Sequence, residues 1–574
     1  MRSQYDVPQK WGARPVGDGR WTFNLWAPGA ERIVLHLGDT QQDMQQESDG
    51  WHVLTTEAQE GMHYAYEREG QIYPDPAARQ QAGGVHDRSI LVDMAALPRH
   101  VDWTGRPWTN AVILEVHVGT FTRDGTLKAA TEEIGRLSDM GITAVELMPL
   151  AQFHGNRGWG YDGVLPYAVH PAYGTPADLA QFIAVAHTHG MMVLIDAVYN
   201  HFGPEGNPLS GLCPSFFDTG RQTPWGSAIA MEKPEVGAFF QQNAEMWLRD
   251  YGADGLRLDA VHQIGEEGST AFLDALGGHL HGMDLPHRIH LVAEDERNMV
   301  SYVRPAGPYE AQWNDDFHHC VHCLLTGERQ SYYAPYAEDP FGDLVTVLGD
   351  GQVDQGQARP AGAEPRGEPS RHVSPLRFVN SVQTHDQIGN RAMGERLVNL
   401  VDPDSVQVCL SMLLLSPFVP MLFMGEEVGS QAPFLFFTDF DGDLAEAVRK
   451  GRRSEFPEFA DSPTEIPDPN AEHTFASSRP YDHLPEDSET WRDLVRHLLD
   501  VRVDRILPLL DSGWKNSICE RLSDRSLRAV WTFGDGTLEM CFTMEGDPPW
   551  LSDAASEIFH MAKGDAAIRV GVTI

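Results

Sequence analysis

The fold is constrained most by a series of short apolar runs that alternate with helical patterns from about residue 108 onward. Most of these runs are continuously apolar, as is typical of parallel strands that are covered on both faces. Eight strands joined by helices favour an α/β fold built on a (β/α)8 TIM barrel. The predicted strands are 111–118, 143–150, 192–199, 255–261, 290–295, 311–316, 377–386 and 420–427.

The best-marked helix between these strands is predicted over 175–189. Thr175 suits the N-cap, Pro176 the first helical position and Asp178 the first turn. Apolar residues recur inside the segment at helical spacing. Gly190 suits the C-terminal cap, so we expect the helix to end there.

Two β-rich regions flank the barrel segment. Residues 1–95 contain short β-prone runs between Gly, Asp and Pro turns, which favour an N-terminal β-sandwich. The barrel is predicted over 96–490 and a C-terminal β-sheet domain over 491–574, with a hairpin around 534–536. Residues 351–375 are rich in Gly, Pro and charge, and they are predicted to form a long loop over the barrel mouth.

The composition excludes several classes of partner. The 574 residues include 83 acidic and 43 basic side chains, for a formal net charge of −40. Such a surface repels phosphate, so we expect neither a nucleic-acid nor an anionic membrane partner. Apolar residues make up 41% of the chain, which is enough for a large core and argues against intrinsic disorder.

One uncharged stretch, 405–425, is 21 residues long and could be mistaken for a membrane span, which needs about 20 residues. Pro417 and Pro420 interrupt it, and two glutamates follow at once. We therefore predict a buried helix, a loop and a buried strand. The N-terminus lacks the apolar segment of a signal peptide, so the predicted location is the cytoplasm.

Six cysteines in 574 residues do not form a disulfide framework. Cys320 and Cys323 lie close to three histidines, which leaves a zinc or redox role open. No second ligand pair follows at zinc-finger spacing, however, and the segment also has the pattern of an apolar helix. Packing in a helix is therefore the favoured interpretation of both cysteines.

Carboxylates follow several of the predicted strands. Asp196 ends strand three, Asp259 strand four, Glu294 strand five and Asp386 strand seven, and a glutamate pair ends strand eight. Because functional groups of a barrel lie at the C-terminal ends of its strands, we expect these side chains to converge. A single buried carboxylate could belong to a structural ion pair, but several at one mouth favour a functional site.

Converging carboxylates without a Cys or His ligand cluster suit glycosidic chemistry, which needs an acid for the leaving oxygen and a second carboxylate at the anomeric centre. Arg257 lies two residues before Asp259, on the same face of the strand, and could keep it ionised. Trp159, Tyr161 and Trp313 could offer flat surfaces to sugar rings, although core packing would explain each of them equally well.

Four blocks, DAVYNH (196–201), GLRLDAVH (255–262), VAED (292–295) and VQTHD (382–386), resemble the four short regions of the α-amylase superfamily, glycoside hydrolase family 13. The resemblance implies that Asp259 is the nucleophile, Glu294 the acid/base and Asp386 the stabiliser of the transition state. It also implies a set of substrate-binding residues: Tyr161, Asp196, Asn200, His201, Arg257, His262, Trp313, Asn314, Asp315, Asp316, His385 and Gln387.

Longer segments, among them EVHVGTFT (115–122), RGWGYDGVLPYA (157–168), QWNDDFHH (312–319) and GEEVGSQAPFLFFTDF (425–440), resemble the maltooligosyltrehalose trehalohydrolases. This likeness implies an N-terminal sandwich similar to a carbohydrate-binding module and hydrolysis of the α-1,4 bond that joins trehalose to a maltooligosaccharide. It implies an oligosaccharide substrate, no cofactor and no metal, in a monomer or homodimer.

The sequence departs from the usual pattern at two positions. Thr384 stands where the family usually has Asn, and His262 where many amylases have Lys. A hydroxyl can still form hydrogen bonds, so we expect tuning rather than loss at Thr384. Two alternatives stay open, namely an α-1,4-glucan branching or debranching enzyme and an inactive carbohydrate-binding protein, although the complete carboxylate set argues against the second.

Overall fold

The computed structural model describes residues 11–223, 226–264, 270–304, 307–359, 363–459 and 465–574. A closed barrel of eight parallel strands lies at its centre, as predicted, in the order β11-β12-β15-β18-β19-β20-β23-β24. Between the first and last strands of the barrel the chain also forms three two-stranded sheets, β13–β14, β16–β17 and β21–β22. In chain order these strands are β11 Ile113–Val116, β12 Ala144–Leu147, β13 Ala151–Gln152, β14 Leu165–Val169, β15 Met192–Ala197, β16 Phe217–Thr223, β17 Gly226–Ile229, β18 Gly255–Leu258, β19 His290–Ala293, β20 Ala311–Trp313, β21 Gln355–Ala358, β22 Pro365–Gly367, β23 Phe378–Ser381 and β24 Val419–Phe423.

The barrel closes where β11 pairs with β24, with Ile113 opposite Met421. Its strands are buried on both faces, which accounts for their continuous apolar pattern. The α-helices of the chain are α1 Val118–Phe121, α2 Leu127–Met140, α3 Pro176–Thr188, α4 Leu209–Leu212, α5 Pro234–Glu245, α6 Thr270–His281, α7 Asp315–Thr326, α8 Pro340–Asp350, α9 His385–Gly389, α10 Leu397–Leu400, α11 Pro403–Leu415, α12 Gly442–Ser454, α13 Glu472–Ser477, α14 Ser488–Val501 and α15 Leu507–Asp511.

The helix predicted over 175–189 is confirmed as α3. The Thr175 side chain accepts from Asp178 N at 3.2 Å, and the Asp178 carboxylate accepts from Thr175 N at 2.8 Å. This reciprocal pair is a capping box. Gly190 adopts φ +71°, the left-handed conformation that ends a helix at low cost.

The uncharged stretch 405–425 forms α11, a turn and β24, as predicted, and almost all of it is buried. Arg502 supports the turn by donating to three backbone oxygens, those of Leu414, Ser416 and Phe418. Among the residues that the structure describes, no helix is long and apolar enough to cross a membrane.

The N-terminal region contains two antiparallel sheets, β1-β2-β6-β5 and β4-β3-β7-β10-β9, with β8 paired to β7. Trp11 joins this region to the barrel: its Nε1 donates to Glu235 O at 3.1 Å, and its ring packs edge-on against Phe239 of α5. The strands are β1 Arg14–Gly17, β2 Arg20–Trp26, β3 Val34–Leu37, β4 Thr40–Asp43, β5 Gln45–Gln46, β6 Trp51–Glu57, β7 His63–Arg68, β8 Gln71–Tyr73, β9 Gln80–Gln81 and β10 Ser89–Ile90.

The C-terminal region is a five-stranded antiparallel sheet in the order β25-β26-β27-β29-β28. The predicted hairpin is confirmed, because Phe533 N donates to Gly536 O across the turn that joins β26 to β27. Trp531 Nε1 donates to Leu348 O and so fixes the sheet to α8. The strands are β25 Trp514–Ser523, β26 Ser526–Phe533, β27 Thr537–Thr543, β28 Ser556–Lys563 and β29 Ala566–Thr573.

The segment predicted as a mouth loop, 351–375, contains a short hairpin, β21–β22, and its residues 360–362 lie outside the described part of the chain. Arg366 in this hairpin lines a cavity at the barrel mouth together with Glu294 and Asp386. The hairpin is held by a hydrogen bond of 2.6 Å from Arg366 Nε to Asp354.

Cys320 and Cys323 are buried in α7, which confirms the helical interpretation of their segment. Burial raises the pKa of the Cys323 thiol to about 12, and its Sγ lies 3.7 Å from Tyr333 O. All six cysteines are free thiols.

Candidate active site

One buried arginine, Arg257 at the end of β18, gathers the carboxylates of three neighbouring barrel strands. Its Nη1 donates to both carboxylate oxygens of Asp196, at 2.8 and 2.7 Å, and to Asp259 Oδ1 at 2.9 Å. Its Nη2 lies 2.8 Å from Glu294 Oε2. The guanidinium carbon lies 4.0 Å from the centroid of the Trp313 ring. The Arg257 side chain is fully buried. Its contacts with Asp196, Asp259 and Glu294 hold the three carboxylates in place.

Asp259 and Glu294 are held close together by local backbone geometry as well. Asp259 Oδ2 accepts from Asn200 Nδ2 at 2.7 Å. The next residue, Ala260, has φ +40°, a left-handed conformation that is costly for a residue with a Cβ. This turn aims Ala260 N at Glu294 Oε2, to which it donates at 2.8 Å. The strained backbone at Ala260 therefore helps to hold the carboxyl groups of Asp259 and Glu294 in their relative positions.

Glu294 lies in an anionic environment. Burial raises the pKa of Glu294 well above its ordinary value, and the negative charges of Asp259, Asp386 and Asp315 raise it further, against the lowering effect of Arg257. The Glu294 side chain is still 18% exposed, so it can reach a ligand. A carboxyl with a raised pKa beside a second carboxyl suits an acid and nucleophile pair.

His385 is the second buried cation of the mouth. Its Nδ1 pairs with Glu115, and its backbone N–H donates to the same carboxylate at 3.1 Å. Burial alone would lower its pKa, but the charges of Asp386 and Glu115 outweigh this effect and raise the pKa of His385 to about 10. Its Nε2 lies 3.5 Å from Asp386 Oδ1, and the Asp386 side chain is 39% exposed.

Tyr161 covers one side of this cluster. Its ring stacks on the ring of His385 at 5.1 Å, and its hydroxyl donates to Asp196 Oδ2 at 2.6 Å. Burial raises the pKa of Asp196 to about 6, opposed by Arg257. His201 pairs through Nδ1 with Asn200, and burial lowers its pKa, so it is a neutral imidazole at neutral pH.

The remaining predicted residues fall into two groups. His262, Asp315, Asp316 and Gln387 line a cavity of about 370 Å³ with Glu294 and Asp386. Asn314 and Trp313 do not line it. Asn314 is buried and donates to Gly351 O and to Asn380, so it joins strands rather than facing the cavity. Trp313 is buried under Arg257 and presents no open face to a sugar.

Thr384 forms the hydrogen bonds that its hydroxyl was expected to supply. It caps α9: its Oγ1 accepts from Asp386 N at 3.3 Å, and its own N–H donates to Gln387 Oε1 at 2.8 Å. The cap sets the direction of the Asp386 backbone, which is the structural reason that a hydroxyl is sufficient here.

The glutamate pair after strand eight does not join the site. Glu426 accepts from Phe423 N at 3.0 Å and Glu427 from Gly425 N at 2.8 Å, so both hold the turn after β24. Neither of them lines the two cavities at the mouth.

Sequence reasoning missed two buried carboxylates inside the barrel, Glu115 on β11 and Glu146 on β12, which lie opposite one another in register. Neither oxygen of Glu146 has a hydrogen-bond partner among the described residues, and burial raises its pKa well above the ordinary value. The signal was available, because a lone glutamate interrupts each of the apolar runs AVILEVHV and TAVELMPL.

Two cavities flank the carboxylates. One, of about 460 Å³, is lined by Asn200 and His201 and by the hairpin β16–β17, whose residues 224–225 are outside the described ranges. The other, of about 370 Å³, includes Glu294 and Asp386. Asn200 of the larger cavity donates to Asp259, and Glu294 and Asp386 line the smaller one, so both cavities adjoin the carboxylate cluster.

Comparison with known proteins agrees with this geometry. The chain matches the model of the alpha-amylase catalytic domain over residues 71–211. It matches the model of carbohydrate-binding module 48, the isoamylase N-terminal domain, over residues 10–78.

Several relatives are named malto-oligosyltrehalose trehalohydrolase. The protein from Deinococcus radiodurans is 38% identical, with 83% of this chain and 80% of the relative covered. Those from Arthrobacter ramosus and Saccharolobus solfataricus are 36% and 37% identical, covering 92% and 76% of this chain and 93% and 78% of the relatives. A glucan branching enzyme from Burkholderia lata is 28% identical over 52% of this chain and 49% of its own length.

Solved structures give the same picture. A 1.4 Å crystal structure of a Salmonella typhimurium protein, provisionally named an alpha amylase, has a TM-score of 0.94 and 39% identity over 99% of this chain and all of that one. A pullulanase from Anoxybacillus has a TM-score of 0.71 at 17% identity, covering all of this chain and 88% of its own, which is a likeness of fold alone.

Proposed function

Because the chain belongs to the malto-oligosyltrehalose trehalohydrolase family, we propose that it hydrolyses the α-1,4 bond next to the trehalose unit of maltooligosyltrehalose. It is a glycoside hydrolase with an alpha-amylase catalytic domain. The products are trehalose and a maltooligosaccharide shortened by that unit. The single observation that carries the catalytic part of the proposal is the pairing of Asp259 and Glu294 on neighbouring nitrogens of Arg257.

In the first step, protonated Glu294 donates to the glycosidic oxygen, and Asp259 attacks the anomeric carbon. The C–O bond breaks, trehalose leaves with the proton, and the maltooligosyl group becomes esterified to Asp259. The raised pKa of Glu294 supports its part as the acid. Asn200 and Arg257 hold Asp259 in place for attack.

In the second step, ionised Glu294 takes a proton from water, and the oxygen of that water attacks the anomeric carbon. The ester bond breaks, Asp259 regains its charge, and the product keeps the α configuration. Retention needs carboxyl groups about 5–5.5 Å apart, whereas inversion needs about 6.5–9.5 Å. Two carboxyls on one guanidinium favour the shorter spacing.

Asp386 and His385 act on the sugar in the same proposal. The partly exposed Asp386 would bind sugar hydroxyls and stabilise positive charge at the anomeric centre. His385, kept protonated by Glu115 and Asp386, would donate a hydrogen bond to a hydroxyl. Tyr161, stacked on His385, would form a flat wall for the ring that reacts.

The test is a parallel incubation with maltooligosyltrehalose and with the plain maltooligosaccharide of equal length. We expect trehalose from the first and slow attack on the second, with proton NMR of the fresh product showing the α anomer. Equal rates on both substrates would contradict the proposed specificity. A fall in the iodine staining of amylose without trehalose release would support the branching alternative. Location in the cytoplasm and a monomeric or dimeric state stay predictions.

A further inference from the structure

Three potential metal ligands converge outside the catalytic carboxylates. His86 belongs to the turn between β9 and β10, His154 follows β13, and Glu205 belongs to the loop after β15. One ligand atom from each lies within 4.8 Å of the other two. Within the part of the chain that the structure describes, no other group of three such side chains meets this spacing.

Contacts around the group hold its three segments together. Gln152 Nε2 donates to Gly83 O at 2.7 Å, which joins the segment of His154 to that of His86. Val85 is buried, and a Cβ at Gly206 would lie only 2.2 Å from Val85 Cγ2. The loops of Glu205 and His86 are therefore in close contact next to their ligand side chains.

The donor atoms suit a divalent transition metal. Two imidazoles and a carboxylate form a three-ligand zinc set, with bonds of about 2.0–2.2 Å and a fourth position for water. His86 Nε2 and Glu205 Oε1 are already 2.9 Å apart. Imidazole selects such metals over Mg²⁺ or Ca²⁺, which prefer oxygen ligands.

The position of the group gives it access to solvent. The side chains of His86 and Glu205 are 68% and 42% exposed, so an ion can enter without unfolding of the chain. The His154 ring is supported from one side by Phe440, at 5.9 Å between ring centroids. The high negative charge of the chain raises the local concentration of cations but does not by itself select a site.

We propose that His86, His154 and Glu205 bind one Zn²⁺-type ion that links the N-terminal region to the mouth of the barrel. Glu205 lies in the same loop as Asn200 and His201, and the adjacent Pro204 and Gly206 line the larger cavity. The bound ion therefore fixes the wall of the cavity and adds to the stability of the interface between the two regions. The ion takes no part in bond cleavage.

The test uses the full chain after removal of metal with a chelator and dialysis. Titration with Zn²⁺ at 0.15 M salt should show one tight ion per chain and a rise in the apparent Tm. His86→Ala and His154→Ala should each weaken binding at least tenfold. His63→Ala, at an exposed histidine of β7 that pairs with Ile90 of β10 and is not one of the three ligands, serves as the matched control and should bind like the wild type.

Co²⁺ gives a second readout that is independent of stability. With the wild type, Co²⁺ should give visible d–d absorption typical of nitrogen and oxygen ligands, and the band should disappear in the His86→Ala/His154→Ala double variant. The circular dichroism spectrum should be unchanged in that variant, which shows that it is folded. Unaltered ion stoichiometry in the double variant, or no tight ion in the wild type, would overturn the proposal.

Discussion

Asp315→Asn tests whether negative charge at the barrel mouth raises the pKa of Glu294, the proposed acid. Asp315 lines the same cavity as Glu294, and its charge is one of those that raise the pKa of Glu294. Burial raises the pKa of Asp315 itself to about 6, so Asp315 carries its charge above that pH. The substitution removes one negative charge and keeps the size of the side chain.

The expected size follows from Coulomb's law. Two unit charges about 8 Å apart interact by about 2 kcal/mol at an effective dielectric constant of about 20, which equals about 1.5 pKa units. Solvent and salt at an open mouth reduce this, so we expect a shift of about 0.5–1 unit. Removal of an anion favours ionised Glu294 and lowers its pKa, so the acid form is lost at a lower pH.

The assay is kcat/KM for trehalose release, measured from pH 5 to pH 10. The alkaline limb should move down by about 0.5–1 pH unit in Asp315→Asn, with little change at the optimum. Asp343→Asn is the matched control, because burial also raises the pKa of Asp343 to about 6 while its partner is Arg359. An alkaline limb that stays in place or moves upward would refute the electrostatic argument.

Three other substitutions test the remaining parts of the site. Asp259→Asn should abolish nearly all turnover with an unchanged circular dichroism spectrum, and substantial residual activity would identify a different nucleophile. Arg257→Lys cannot hold three carboxylates at once and should cost about 3–5 kcal/mol, or about 10²–10⁴-fold in kcat/KM, with a lower Tm. Glu115→Gln should lower the pKa of His385. In the wild type, the charge of His385 stabilises the folded state in full below about pH 6.5, and this contribution is lost as pH rises through about 10. The decrease in apparent Tm should therefore be largest near pH 6 and shrink towards pH 10, and a constant decrease would contradict this linkage.

The fold could be predicted because each barrel strand is apolar on both faces and each major turn has a local signal. The capping box at Thr175 and the tight turn at 533–536 depend on neighbouring residues only, so the sequence contains all that determines them. The hairpin β21–β22 could not be predicted, because its strands are short, exposed and free of alternation. What holds it is the ion pair between Arg366 of β22 and Asp354, which directly precedes β21.

Site residues that lie at the end of a predicted strand could be identified from the sequence. Asp196, Asp259 and Glu294 are such residues, and the structure brings them to one guanidinium. Glu115 and Glu146 lie within strands. At such positions the apolar pattern of the sequence predicts only that a residue belongs to the core. The burial of Trp313 beneath Arg257 depends on the barrel's closure, which sets what each inward side chain faces.

The shared guanidinium has a consequence for the course of the proposed reaction. In the proposed mechanism, the first step begins with the negative charge on Asp259, opposite Nη1, and the proton on Glu294. After the first bond breaks, Asp259 is an ester and the charge resides on Glu294, opposite Nη2. The charge migrates between two nitrogens of one fixed cation, so the total charge that the barrel must bury is the same before and after each chemical step. In this mechanism Arg257 would act as an immobile counter-ion to both carboxyl groups.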